Sequence, residues 1–446
     1  MSAYISPPAA ASLGPDDVSI TVGTTKIAGW ETVEIGRSAE SCPNHFTLTM
    51  TEEFSNDPSR ILARPGQPCE VRIGTTLVLT GYIDRYAAKI GPASHDVTIT
   101  GRGICEDLVD CSADPNTKGV IIGGSTIATD ALDLAKKLCV PFNIDAIVNE
   151  ANVTGKVSLP ILPFQIALGD TPYQIIEQVA RYTGLLVYED EFGRLVLDRI
   201  GTQKMGSGFV QGDNVEGASM SLSVDERFTS LTIVFSPINQ LDMTPSSIMN
   251  VYGGAVASVT NQRSPPFNDN AFAAQIYPRK RPRIVVSMQN DGSSDFAARM
   301  AAWEMNRRIG RSQAVQLTCD SWRDKNGLLW QPNWLANVHL PALKLVNKTW
   351  IIGDVVFRKD QGGTHADLVL MPPEAYSVQP APLNVFDYEG ASGLPTSQSP
   401  APPTTGASGS TPSSIMNVYQ NAAAPLAPFP QAGDPVPGTL GQQKFQ

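Results

Sequence analysis

The chain has 446 residues, enough for about three domains at roughly 150 residues each, and its 42% apolar content and mean hydropathy of -0.10 exclude both a globally disordered chain and a membrane-embedded one. Lys plus Arg number 33 against 43 Asp plus Glu, a net charge of -10, and the field of such a surface repels phosphate polymers and disfavours tight nucleic-acid binding. No run reaches the roughly 18 apolar residues of a membrane helix, and the opening Met1-Ser-Ala-Tyr-Ile-Ser-Pro-Pro8 lacks the basic and apolar stretches of a signal peptide, so export by the general route is not expected.

The pattern predicts a multidomain, mainly β chain: two small antiparallel β-barrel domains flanking an α+β domain, with a Pro-rich extended C-terminal tail. Residues 1–16 read as an N-terminal arm and 17–113 as the first barrel. Its predicted strands are Val18-Ser-Ile-Thr-Val22, His45-Phe-Thr-Leu-Thr-Met50, Val71-Arg-Ile73, Thr76-Leu-Val-Leu-Thr80 and His95-Asp-Val-Thr-Ile-Thr100, short β-branched runs punctuated by Gly, Asn or Pro. Residues 114–200 read as the α+β domain. One helix is expected after Ser125, with Ile127, Ala128, Ala131, Leu132, Ala135 and Leu138 on its inner face. A second runs from the cap Thr171 through Pro172, with Gln174 closing a capping box and Gly184 ending it. A hairpin follows, Leu185-Leu-Val-Tyr188 and Leu195-Val-Leu197 around a Glu189–Arg194 turn.

Residues 201–376 read as the second barrel. Strands are expected at 219–224, 230–235, 283–286, 314–318, 336–340, 349–352, 355–357 and 366–370, with an inserted loop at about 237–280. A helix is expected at about 294–309 with Phe296, Met300 and Trp303 inward. From 377 to 446 the chain holds 12 of the 35 prolines and four charged side chains, a composition that buries too little to fold alone but can lie extended along a partner.

The search for chemistry is negative. The six cysteines (42, 69, 105, 111, 139 and 319) contain no C-x-x-C pair and the four histidines (45, 95, 339 and 365) stand apart, so we expect reduced, structural thiols, no metal and no cofactor. No nucleophile elbow is present, and Gly101-Arg-Gly103 lacks the third Gly and the Lys of a phosphate loop and reads as a plain turn. Glu189-Asp-Glu191 reads as a solvated hairpin tip, Arg279-Lys-Arg-Pro-Arg283 as a solvated strand entry, and Arg307, Arg308 and Arg311 as cations at a helix C-terminus. No catalytic residue is assigned.

Two repeats stand out. Thr244-Pro-Ser-Ser-Ile-Met-Asn-Val-Tyr252 returns unchanged as 411–419. It is either a docking peptide used twice, with Ile248, Met249, Val251, Tyr252, Ile415, Met416, Val418 and Tyr419 as apolar anchors, or a duplication that adds no contact. The second repeat is faint: Val71-Arg-Ile, Gly81-Tyr-Ile-Asp84 and His95-Asp-Val-Thr-Ile99 recur in order as Val338-His-Leu, Gly353-Asp-Val-Val356 and His365-Ala-Asp-Leu-Val-Leu370. It is either one barrel topology present twice or the common look of antiparallel meanders.

Several segments together resemble the baseplate hub proteins of contractile-tailed, Mu-like bacteriophages. They are Leu79-Thr-Gly-Tyr-Ile-Asp84, Ser94–Arg102 leading to Asp107-Leu-Val-Asp-Cys-Ser112, Thr171–Ile176 with Gly184-Leu-Leu-Val187, Tyr277–Pro282, and Leu329-Trp-Gln-Pro-Asn333 through Leu370-Met-Pro-Pro-Glu-Ala-Tyr376. The resemblance covers roughly 17–376 and implies a non-enzymatic virion protein made in the host bacterial cytoplasm. It implies a homotrimer whose two barrels per chain form a ring of pseudo-six-fold symmetry, joining the tail tube or its initiator to the central spike among other baseplate proteins and letting DNA pass during ejection without specific binding. The tail after 376 and the duplicated nonapeptide lie outside the resemblance. The alternative is a tail-associated peptidoglycan-binding or cell-wall-degrading protein.

Overall fold

The computed structural model describes residues 14–51, 63–91, 95–159, 164–235, 267–268, 281–287, 294–376 and 378, all within the compact unit Met1–Gly390. The first strands are β1 (Val18–Val22), β2 (Thr25–Ala28), β3 (Thr32–Ser38), β4 (His45–Thr51), β5 (Pro68–Ile73), β6 (Thr76–Ile90) and β7 (His95–Gly103). Alternation builds them: in β5 and β7 every second side chain is buried, the period-two pattern of a sheet with one face on a core. Pairing runs β3-β4-β7-β6-β5-β1-β2, antiparallel throughout. The fifteen-residue β6 is three times its predicted length, because a bulge between Ile83 and Arg85 lets it bend onward beside β7.

Next come α1 (Glu106–Asp110), β8 (Gly124–Thr126), α2 (Ala131–Cys139), β9 (Ala146–Val148), β10 (Phe164–Ile166), α3 (Pro172–Thr183), β11 (Leu186–Glu189) and β12 (Leu195–Asp198). The predicted second helix and hairpin form as read: Thr171 Oγ accepts from the Gln174 N–H, Gln174 Oε1 accepts from the Thr171 N–H, and Gly184 ends α3 at φ +74°. The first helix starts later than expected. Asp130, not the region of Ser125, caps it by accepting from the Leu132 and Asp133 N–H groups, Ser125 lies in β8, and Ile127 is 60% exposed. An Asx cap that satisfies two terminal donors outweighs one more apolar residue on the stripe. β12 pairs antiparallel with β11 and parallel with β9, and Leu134, Leu138, Phe164, Ile176 and Leu197 share the core of this module.

The last part holds β13 (Phe209–Val210), β14 (Val215–Leu222), β15 (Ser230–Phe235), β16 (Phe267–Asn268), β17 (Pro282–Ser287), α4 (Ser294–Arg311), β18 (Gln313–Cys319), β19 (Leu335–Leu340), β20 (Leu345–Asp360) and β21 (Gly363–Met371). β15 pairs parallel with β17 and antiparallel with β16 in a separate small sheet. Along α4 the buried side chains are Ala301 and Met305, Trp303 is only half-buried, and the expected inward side chains of Phe296 and Met300 lie outside the described ones. The runs 349–352 and 355–357 are one strand, bulged between Ile352 and Asp354. Most of the expected loop at 237–280, the arm before Gly14 and the tail apart from Val378 fall outside the described residues.

Candidate assembly site

The faint repeat of the sequence has a counterpart in strand connectivity, with its middle segment corrected by three residues: the sequence sets Gly81 against Gly353, whereas the ladders set Asp84 there. The path β3-β4-β7-β6-β5-β1 has a counterpart in β14-β18-β21-β20-β19-β13, each strand pairing with the equivalent neighbours. The one difference in sense is at the end, where β13 lies parallel to β19 while β1 lies antiparallel to β5. The bulges of β6 and β20 fall at the same place, Asp84 matching Gly353.

The two paths join where residues 354–359 of β20 pair antiparallel with β3, Phe357 opposite Ile35 and Arg358 opposite Glu34. Here Val33, Ile35, Val355 and Phe357 are buried, and one apolar cluster runs from Ile20, Phe46 and Val71 of the first path to Trp322, Trp330 and Leu368 of the second. Several strand edges have no such cover among the described residues, those of β2, β13, β14 and the far half of β6 among them. Among the described strands, the far half of β6, residues 84–90, forms a ladder with β7, and β14 with β18, with one further bridge from Val215 of β14 to Gln211. Both edges carry a large exposed apolar side chain: Ile90 is 72% exposed and Leu222 65%. An open edge with apolar side chains is a template for another strand.

The middle module is fastened to both paths by buried carboxylates. Glu189, 2% exposed, accepts from the Asn44 N–H (2.9 Å) and the Cys105 N–H (2.9 Å), while its carbonyl accepts from Asn44 Nδ2 (3.1 Å). Burial pushes its carboxyl up to about 7, against the lowering pull of those N–H donors. The expected solvated tip is therefore wrong for Glu189. Asp190 instead folds the turn by accepting from the Phe192 and Arg194 N–H groups, and Glu191 pairs with Arg37 at 3.0 Å. The second clasp is Asp198, fully buried, which accepts from Tyr188 Oη (2.6 Å), Asn149 Nδ2 (2.9 Å), Asn152 Nδ2 (2.9 Å) and Asn333 Nδ2 (2.9 Å).

The strand glycines explain the first clasp and correct a second expectation. Gly101-Arg-Gly103 is not a turn but the end of β7, where a Cβ on Gly101 would overlap the Tyr82 carbonyl and Phe46, and one on Gly103 the Glu189 carboxylate. A glycine inside a strand signals this close approach, and it was the sequence's one pointer to the clasp. Gly103→Ala should cost about 1–3 kcal/mol through overpacking, read as a lower denaturation midpoint with unchanged circular dichroism. Between them Arg102 binds Asp84 (2.7 Å), Glu106 (3.1 Å) and Asp110 (2.8 Å), and burial with the neighbouring Asp84 charge raises Glu106 to about 7.

The basic groups are internally matched. Arg311 grips Glu40 through both carboxylate oxygens, Arg308 pairs with Glu304 and Glu226, and Arg281 and Arg283 lie over the Phe228 ring with Arg308. Arg181, Arg307 and Arg311 line a groove of about 380 Å³ beside Glu40, Glu177, Leu186 and Tyr376. Of the four histidines, His365 meets Glu216 at 2.8 Å and His339 meets Asn347 at 3.0 Å. Among the described residues no three His, Cys, Asp or Glu side chains form a metal-sized cluster. Both copies of the nonapeptide, with Ile248, Met249, Val251, Tyr252, Ile415, Met416, Val418 and Tyr419, lie outside the described residues.

Comparison with known proteins matches these parts one by one. Residues 17–103, the first strand path, fit the family model "Mu phage baseplate assembly protein GpP-like, N-terminal". Residues 105–199, the middle module, fit "Baseplate hub protein gp44-like, second domain", and residues 293–379 fit "Mu phage baseplate assembly protein GpP, fourth domain". Part by part, the chain is similar to the Mu-like phage baseplate hub proteins. It is 26% identical over 356 residues to the baseplate hub protein gp44 of Escherichia phage Mu, covering 78% of this chain and 86% of that one. In structure it is similar to the 43 kDa tail protein of prophage MuSo2 from Shewanella oneidensis, with a TM-score of 0.65 at 28% identity over 81% of this chain and 99% of that one. A tail protein from Neisseria meningitidis shares the fold at a TM-score of 0.60 and 20% identity, over 82% of this chain and 98% of that one. The first strand path thus meets a model of a first domain, the clasped middle module a second, and the part of the second path from β18 to β21 a fourth, with β13 and β14 outside the matched residues. As a hub relative the chain is a phage tail component.

Proposed function

We propose that the chain is the structural, non-catalytic hub of a contractile-tail baseplate, three copies closing into a ring of six similar β modules. The observation that carries this reading is the strand path present twice in one chain and already joined once, at β20 and β3. Each path is one small barrel of the ring, and three two-barrel chains match a six-fold tube above to a three-fold spike below. A closed ring also removes the open strand edges that a single copy leaves, and closed point symmetry is the common outcome for identical chains. The net charge of -10 suits a passage for DNA, since a wall without a surplus of cations releases few counterions and does not hold the genome.

Light scattering at tens of micromolar tests the reading: a mass of three times 47.7 kDa is expected, and a stable dimer or a monomer contradicts it. The tail from 377 and both nonapeptides are proposed to tie the hub to a neighbouring tail protein through the eight anchors named above. Deleting 377–446 should then abolish co-purification with tail partners while leaving three chains per particle, and unchanged co-purification would refute that role.

A further inference from the structure

We propose that Cys42 and Cys105 form a reversible disulfide that fastens the first strand path covalently to the middle module. They sit on the seam between residues 17–103 and 105–199, and the strand register brings them together. β4 and β7 pair His45 with Arg102, and one place further on the Gly103 N–H donates to the Asn44 carbonyl at 2.8 Å. The same count, carried past the strand ends, sets Cys42 opposite Cys105. Residues that face each other in such a ladder have Cα atoms about 4.5–5.5 Å apart, inside the roughly 4.4–6.8 Å that a disulfide spans. The Glu189 clasp holds both segments in place. Its carboxylate accepts from the N–H of Asn44, two residues after Cys42, and from the N–H of Cys105 itself, each at 2.9 Å.

The side chains meet in one core. Cys105 is fully buried there, Cys42 packs against the same apolar cluster while half-buried, and the two thiols lie within hydrogen-bond reach of each other. That hydrogen bond and burial push the Cys105 thiol well above its ordinary range, and burial pushes Cys139, the third thiol of this core, up to about 12. Neither is a thiolate at neutral pH, so Cys42 opens the reaction and Cys105 completes it. The oxidant is a small-molecule disulfide, with oxidised glutathione as the probe. The Cys42 thiolate attacks one of its sulfurs and expels one glutathione thiolate, which leaves a mixed disulfide on Cys42. Cys105 then gives its proton to water and attacks the Cys42 sulfur, expelling the second glutathione thiolate. Two protein thiols and one glutathione disulfide thus become one protein disulfide and two glutathione thiols. In a reducing compartment the seam is held by hydrogen bonds and packing alone, and in an oxidising one it becomes covalent.

The test uses the full chain with Cys111→Ser, which removes the exposed thiol and leaves Cys105 as the one cysteine of its tryptic peptide. The protein is incubated with oxidised glutathione, blocked with N-ethylmaleimide, digested without reductant and read by mass spectrometry. The expected result is the peptide of Cys42 joined to that of Cys105, two free thiols fewer per chain, and a urea midpoint raised by about 1 M that falls back on adding dithiothreitol. Cys42→Ser in the same background, a change at the half-buried member of the pair, should lose no thiol and show no shift. A Cys42–Cys139 link, glutathione left on Cys42, or no loss of thiols would each overturn the pair. A Cys42–Cys105 link that leaves the midpoint unmoved would overturn its fastening role.

Discussion

Trp322→Ala should destabilise the second strand path by about 3–5 kcal/mol, the largest single-residue loss we expect. The indole is fully buried, and its ring sits edge-on to Phe357 with centroids 6.0 Å apart, directly beneath the β20–β3 joint. Its Nε1–H donates to two carbonyls, Arg358 at 3.1 Å and His365 at 2.8 Å, so one side chain holds β20 and β21 together near their turn. Truncation opens a large cavity and removes a shared donor, two named routes to large losses. A loss of that size is a large share of the roughly 5–15 kcal/mol that holds a domain folded. Trp322→Phe keeps part of the ring volume but not the N–H, and should recover about half. Denaturant titration followed by circular dichroism checks both, and a Trp322→Ala midpoint equal to wild type would show that this core does not bear on the joint.

Glu189 should make stability fall as pH rises. Its folded carboxyl holds its proton to about 7, whereas the unfolded one releases it near the ordinary 4.5. The folded state therefore binds the proton more tightly. Its contribution is greatest below pH 4.5, declines through the window from 4.5 to about 7, and is flat above it. The shift corresponds to about 3 kcal/mol at 1.36 kcal/mol per unit, with little solvent screening at so buried a site. In Glu189→Gln that decline disappears, although the variant is weaker at low pH because an amide has one acceptor for the two N–H groups of Asn44 and Cys105. Unfolding free energies of the two proteins at pH 5, 6 and 7.5 should converge as pH rises. Parallel curves would show that Glu189 ionises as an ordinary carboxyl.

What was legible in the sequence was local. The capping box from Thr171 to Gln174 and the αL glycine at Gly184 are signals carried by neighbouring residues, and they placed α3 to the residue. β3 was missed because Glu34, Gly36 and Arg37 break the apolar alternation, yet Gly36 and Arg37 are buried by the β20 joint and by contacts to Gln331 and Glu191. The inner face of α2 was drawn four residues too early since Ile127 fits the stripe as well as Ala131 does, and only the Asp130 cap separates them. Glu189 looked like one acid among three at a turn. Its burial depends on Asn44, Gly103 and Cys105, far away in sequence, which no local pattern encodes. The repeat was faint for the same reason: equivalent positions such as Ile35 and Met220, or Asp84 and Gly353, share a place in a strand path and not a residue type.

The central claim is that one chain supplies two equivalent units of a six-unit ring. End-on electron-microscope images of the purified full chain, averaged without imposed symmetry, test it most directly. The account predicts a closed ring of six similar lobes, with the middle modules marking every second one and reducing the symmetry to three-fold. A ring of three lobes, an open arc, or a two-fold particle would contradict it.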